Sequence, residues 1–436
     1  MKKKIYNFYC LTMVFCLISL TAFSQEDRTL QHYRNPDQRG LNVFEPPKED
    51  SIEYTGFKVR LGGSFALQFQ GLDHYNNALT SPNPDDPTIN DNELIAIGSN
   101  FNLATANLDL DVQLEKGVRL HLRTYLSSRH HPEAYVKGGY LQVDNLDFIK
   151  EGLLSELMSA MTVKVGHMEI NYGDAHFRRT DNAMAIYNPF VGNYIMDAFT
   201  TELGAEVYYR KNWLVSMLGI TNGKLNQAVT NPNAYNPSIV AKFGYDKQLN
   251  DDFRLRLMSS VYTTSKASPT WLYGGDRAGS RYYLVMENTQ ASTKNNFTSG
   301  RYNPGFSTKL TAFMFNPFVK YKGLEVFGVL ETSTGQDFGE TENRTWNQYG
   351  VEALYRFGKK ENAYAGFRFN QAAGKEAHTR NDVDINRIQL GLGWFMTKNI
   401  LAKLEYVGQT YNGFDNTNIL HEGGFDGVML EAVIAF

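Results

Sequence analysis

The sequence predicts an all-β fold, a transmembrane antiparallel β-barrel of about sixteen strands, with eighteen possible. Three observations predict it. Segments of roughly ten residues alternate apolar and polar side chains along most of the chain. The connections between them take turns at being short and long. The chain also ends on an apolar run, VMLEAVIAF (428–436), where a frayed, hydrophilic tail is usual.

The bulk properties agree. The 436 residues have a mean hydropathy of -0.40, and aromatics make up 13% of them, which favours strands. MKKK, the apolar IYNFYCLTMVFCLISL and the small residues Ala22 and Ser24 have the layout of a signal peptide over 1–24, cleaved before Gln25. Cys10 and Cys16 both lie inside it. The mature chain therefore has no thiol, which excludes a disulfide framework, a cysteine metal site and a lipid-modified N-terminal cysteine. Removing Lys2, Lys3 and Lys4 takes the formal charge from -3 to -6, so no nucleic-acid partner is expected. Beyond residue 25 no run approaches the ~18 apolar residues of a membrane helix. The choice lies between a soluble exported β protein and a barrel in the outer membrane.

Residues 25–55 are polar, contain proline and show no periodicity, so they read as an extended periplasmic leader before a barrel over 56–436. The first strand segment, GFKVRLGGSFALQFQ, sets Phe57, Val59, Leu61, Phe65, Leu67 and Phe69 against Lys58, Arg60, Gly62, Ser64, Ala66 and Gln68. It exceeds the ~5–6 residues of a typical soluble strand and can cross a bilayer at a tilt, which takes ~9–11. ATANLDLDVQL, VRLHLRTYL, TELGAEVYYR, FRLRLMSSVY, NRIQLGLGWFM and ILAKLEYVG repeat the pattern. Sixteen such segments lie near 56–72, 101–114, 118–127, 134–144, 162–170, 199–210, 213–221, 238–246, 252–264, 306–321, 323–333, 345–357, 362–371, 383–396, 400–411 and 424–436. SRYYLVMEN (281–289) is either a strand within a long loop or part of an extra pair that would make eighteen. EKG, KN, GKKEN and TKN alternate with long connections such as 73–100, 171–198 and 264–305, the arrangement of outer-membrane barrels. One connection, NLDFIKEGLLSELMSAM, is long on the short side. Leu153, Leu154, Leu157 and Met158 have helical spacing there, and a small helix is expected. In the terminal run Val428, Leu430, Ala432, Ile434 and Phe436 would face lipid as the closing strand.

The strand count, Phe436 and the stretch MTVKVGHMEINYGDAHFRRTDNAMAIYNPFVGNYIMDAFTTELGAEVYY together resemble the porins of Gram-negative outer membranes, the phosphate-selective porin O and P family most closely. The resemblance implies sixteen strands, a homotrimer and a third loop folded into the lumen. In phosphate-specific members it also implies arginine and lysine along the conduit.

By alternation, Lys58, Arg60, Arg119, Arg123, Lys164, Arg210, Arg254, Arg256 and Arg387 point inward as candidate pore-lining cations. Asp109, Asp111, Glu202, Glu206, Glu325, Glu352, Glu405 and Glu431 point inward with them. One reading is a water-filled pore biased towards anions; the other is that the charges pair across strands. The mixture of signs departs from a basic ladder and puts phosphate specificity in doubt. In the third loop, DAHFRRTDN gathers Asp174, His176, Arg178, Arg179 and Asp181 as a candidate constriction. Arginine's planar fork suits carboxylate and phosphate solutes; alternatively, these groups pin the loop to the wall by ion pairs.

No chemistry is expected. Asp174 and His176 could be half of a hydrolytic site, yet spacing marks no nucleophile. His130 and His131 would point apart on a strand, and NPDDPTINDNE lacks the spacing of a calcium loop. Neither enzyme activity, cofactor nor metal is therefore anticipated. The expected function is an outer-membrane porin passing small hydrophilic solutes, with a mild anion preference, among outer-membrane lipid and lipopolysaccharide. The alternative is a non-conducting barrel that serves as a structural or binding partner of a secretion or surface-protein complex.

Overall fold

A computed structural model describes residues 30–49, 52–126, 134–180, 183–223, 236–265, 270–274 and 282–436. The signal segment 1–24, the pair His130 and His131, and Asp181 lie outside the described residues. Sixteen antiparallel strands form one closed barrel. They begin with β1 (Lys58–Tyr75), β2 (Asn100–Glu115), β3 (Val118–Leu126), β4 (Tyr135–Val143), β5 (Met161–Glu169), β6 (Thr201–Lys211), β7 (Leu214–Thr221) and β8 (Ser238–Asn250). They continue with β9 (Phe253–Ser265), β10 (Lys309–Tyr321), β11 (Leu324–Gln336), β12 (Arg344–Phe357), β13 (Ala363–Lys375), β14 (Asp382–Thr397), β15 (Ile400–Asn412) and β16 (Gly424–Ala435). Each strand pairs with its neighbours in sequence, and β16 pairs with β1, Ser64 opposite Ala435 and Tyr75 opposite Gly424. Gly63 and Phe436 extend that seam, each amide donating to the other's carbonyl at 3.0 Å. Closure leaves no free edge, which is what lets a sheet sit in hydrocarbon.

The period of two decides which face meets which medium. Along β14, Ile388, Leu390, Leu392, Trp394 and Met396 are exposed on the outside, while Ile385, Arg387, Gln389 and Phe395 are buried inside. Trp213, Tyr321, Tyr355, Phe357 and Trp394 gather on the outside near the short-turn end, as an interfacial girdle requires. An arginine at Leu390, midway along β14 on its outer face, would put a charge against acyl tails. Leu390→Arg is expected to cost about 2–4 kcal/mol in urea unfolding from lipid vesicles, against little for the same change at Asp384 near the long-loop end. Equal costs would refute the orientation of the belt.

The eighteen-strand alternative is corrected. Described residues 282–289 form turns and one isolated bridge, Leu94 opposite Asn288, and add no strand to the barrel. Tyr282 and Val285 are buried because they pack into the lumen instead of facing lipid. The helix of the long turn, α1 (Ser155–Met158), has a single turn.

The apolar core lies inside the barrel. It joins Tyr172, Phe177, Val191, Tyr194 and Ile195 of the third loop to Leu272, Tyr282 and Val285 of the fifth long loop and to inward Tyr262, Phe318 and Trp346. Residues 30–49 do not trail away as an extended leader either. Leu30 and Phe44 are buried, and the segment enters the short-turn mouth of the barrel. Its polar composition reads as solvated, but Glu45 and Lys48 find charged partners on the barrel wall.

Candidate functional site: the lumen and its chamber

The third loop, 170–200, is laid across the lumen against β8 to β15, and the wall satisfies its backbone. Glu405 accepts from the amides of Val191 and Gly192 at 2.7 and 3.3 Å. Asn370 accepts from Ile195 at 2.6 Å, and Gln348 from Met196 at 2.8 Å. The carbonyls are met by cations. Lys403 donates to Ala185 and Phe190, Arg368 to Gly192 at 2.8 Å and Arg387 to Asn193 at 2.5 Å. Buried peptide groups must be paired, and a loop offers donors and acceptors alike. That requirement accounts for the mixture of signs on the inner wall. Phe190 fits because Gly391 carries no side chain: a Cβ there would lie 3.1 Å from its ring. The fifth long loop lies on top, with Tyr302 donating to the Ile195 carbonyl at 2.9 Å and Arg301 bridging to Asp197 at 2.6 Å.

The leader occupies the opposite end. The Gln31 amide donates to Gln113 of β2 and its side chain accepts from Gly117, both at 3.0 Å. Gln38 donates to the carbonyls of Lys398 and Lys360 in two far turns, at 2.8 and 3.1 Å. Asn42 donates to Glu325 of β11 at 2.6 Å and its carbonyl accepts from Arg254 of β9 at 2.8 Å. Glu45 pairs with Arg256 at 2.9 Å and Lys242 at 3.2 Å, and Lys48 with Asp144 at 3.2 Å. The segment thus touches the wall all round the mouth. Phe44 is its apolar anchor, edge-on to Phe177 and Phe318, with the Arg256 guanidinium 4.3 Å from its ring centre.

Leader and third loop meet in one charge cluster. Asp174 accepts from Arg256 at 2.7 and 2.9 Å and lies 2.6 Å from the Lys242 ammonium. Burial pushes the carboxyls of Asp174 and Glu45 up. Arg256 and Lys242 outweigh it and hold both below the usual carboxylate range.

A cavity of about 140 Å³ remains on the other side of the lumen. It is bounded by the leader, by the third loop at Asn171, His176 and Phe177, and by the wall of β2 to β5, including Glu169 at the end of β5. Five strong cations face it, Arg34, Arg119, Arg123, Lys137 and Lys164, and four carboxylates, Glu45, Asp109, Asp111 and Glu169. Most of those carboxylates are engaged. Arg123 binds Asp109 through two bonds of 2.7 Å, and Asp111 takes Arg119 at 3.0 Å and His121 at 2.8 Å. Glu169 bonds His176. Lys164 lies 5.3 and 5.1 Å from the ring centres of Tyr140 and Tyr208, and no carboxylate among the described residues forms an ion pair with it.

The residues singled out in the sequence separate into two groups. Arg119, Arg123, Lys164 and His176 line the chamber. Arg60 bonds the Tyr33 hydroxyl at 3.0 Å, and Lys58 stands by the leader at the rim. Arg210, Arg254 and Arg256 hold leader carbonyls or Glu45, and Arg387 is sealed beneath the loops. Asp174, Arg178 and Arg179 turn away from the chamber. Arg178 bonds Asn42 at 2.5 Å and lies 3.8 and 3.6 Å from Glu325 and Glu352; Arg179 grips Asp197 at 2.9 and 2.5 Å. Sequence reasoning missed Arg34 and Tyr33, which lie in a segment without periodicity, and Lys137, which a strand irregularity turns inward.

No protein-family model and no curated protein sequence matches the chain. Solved structures do. An anion-selective porin from Comamonas acidovorans superposes with a TM-score of 0.52 at 11% identity, over 87% of this chain and 100% of that one. The chain has the outer-membrane porin fold. The channel DcaP of Acinetobacter baumannii shares this porin fold with a TM-score of 0.51 at 11% identity, over 88% of this chain and 99% of that one. The outer-membrane protein OmpT of Vibrio cholerae in its trimer form gives 0.50 at 11%, over 87% and 100%. At such identities the likeness is one of fold.

Proposed function

We propose that the chain is an outer-membrane channel for small hydrophilic solutes, with a preference for anions, and that its conduit runs along the β2–β5 wall through the chamber. The observation that carries this is the charge of that chamber inside a porin-type barrel. Its carboxylates are largely neutralised by neighbours, while Lys164 keeps an ammonium with no carboxylate partner among the described residues. Rings of Arg and Lys favour anions. Arg119 and Arg123 are already engaged by Asp111 and Asp109, which favours a general anion filter over a phosphate-specific ladder. A homotrimer, with the apolar belt facing lipid and lipopolysaccharide, belongs to the same proposal.

Planar-bilayer conductance and reversal potentials in a KCl gradient test it. Lys164→Glu is expected to move the reversal potential towards cations, and an unmoved value would refute the placement of the conduit. A second reading, a silent barrel that holds a surface partner, is favoured by how fully the loops and leader occupy the lumen. The lack of any current under all conditions would support it.

A further inference from the structure

We infer that residues 30–49 are a resident plug, a detachable part of the chain that closes the short-turn mouth and opens the channel by leaving it. The inference rests on the channel reading above.

The asymmetry of the contacts carries it. Nearly every charged wall group that the leader touches keeps another partner when the leader is removed. Lys242 retains Asp174 at 2.6 Å, and Arg256 retains Asp174 and Asp246 at 2.7 and 2.8 Å. Arg254 retains Asp246 at 2.7 Å, and Glu325 retains Arg356 at 2.8 Å. Asp144 keeps Gln142 at 2.7 Å and Thr162 at 2.5 Å. The barrel is therefore satisfied without its leader. The reverse does not hold: Asn42, Glu45 and Lys48 take their charged partners from the wall or the third loop. The segment has no strand or α-helix of its own, only the short turn Gln38–Gly40. Its buried apolar anchors are few, Leu30 and Phe44. Segments with little apolar burial can open locally while the scaffold around them stays folded.

Leaving would also change the lumen's field. Glu45 is the leader's one carboxylate on the cationic wall; Asp37 is occupied by Arg39 at 2.7 Å. Withdrawing Glu45 takes one carboxylate from beside Arg210, Lys242 and Arg256, while Asp174 stays with Lys242 and Arg256 and Asp246 with Arg256.

The test compares the mature chain with its Δ30–49 form in planar bilayers, each checked for a heat-modifiable folded barrel on gels. The full chain is expected to pass little current. The deletion is expected to conduct several-fold more. A synthetic peptide of residues 30–49, added on the short-turn side, should restore closure; the same peptide with Glu45→Lys should not. Equal conductance of both forms would overturn the plug and leave the channel standing. Silence of both would overturn the plug and the channel together. Should the deletion fail to fold, full-length Glu45→Lys sets like charges against Lys242 and Arg256 and is expected to raise the current. Unchanged current there would also overturn the plug.

Discussion

Asp197→Ala is expected to free both inward loops at once, at a cost of about 3–5 kcal/mol, the range for removing one partner from a buried ion pair. Asp197 is buried, and it joins Arg179 of the third loop, at 2.9 and 2.5 Å, to Arg301 of the fifth long loop, at 2.6 Å. Asn193 adds a bond of 3.1 Å. Burial pushes the carboxyl up, but Arg179 first and Arg301 second hold it well below the ordinary range, so it carries its charge at neutral pH. Alanine would leave both guanidiniums buried close to each other without that carboxylate. Urea unfolding should register the loss. Trypsin should then cut after Arg178 or Arg179, which the intact packing protects. If Asp197→Ala resisted trypsin like the wild type, the tie between the loops would not be structural.

Arg256→Ala should release the leader together with the start of the third loop. A single guanidinium serves three carboxylates there: Asp174 through two bonds, Asp246 at 2.8 Å and Glu45 at 2.9 Å. With it gone, Asp174 keeps Lys242 as its cation, and Glu45 keeps Lys242 with Arg210 nearby. The cost is again about 3–5 kcal/mol. Arg256→Lys should recover only part of it, because an ammonium lacks the planar fork. Acid should act in the same direction. Both carboxyls are depressed below their usual ~4, so their contribution to docking is complete above that range and lost as pH falls through the depressed values. Hydrogen exchange across 41–46, corrected for intrinsic rates, should be slow near neutrality and accelerate in strong acid. In Arg256→Ala it should be fast already at pH 7. Slow exchange in that variant would refute the role given to Arg256.

The two halves of the molecule differ in how far the sequence exposes them. Strands were legible because the bilayer and the lumen impose a strict alternation: the segment expected near 162–170 is Met161–Glu169, and 400–411 is Ile400–Asn412. The chamber was half legible for the same reason, since Arg119, Arg123 and Lys164 follow the inward parity. Loop and leader obey no period. Arg178 and Arg179 are adjacent in the chain, yet one seeks Glu325 and Glu352 and the other Asp197, partners set by three-dimensional packing. Glu45 meets Arg256 across more than two hundred residues, and nothing local announces it. The mixed inner charges looked like a departure from an anion ladder. They are what a folded-in backbone demands, acceptors for its amides and donors for its carbonyls.

The seam between the first strand and the last has a kinetic meaning. Ser64 cannot find Ala435 until almost the whole polypeptide has crossed into the compartment where it folds. A contact so distant in sequence makes ring formation late and slow. The third loop, carried between its own two strands, must be stowed before the cylinder shuts. The N-terminal segment hangs from the first strand at an open rim and can be tucked in afterwards. Biogenesis can then yield a complete, still-open cylinder first and a stoppered one second.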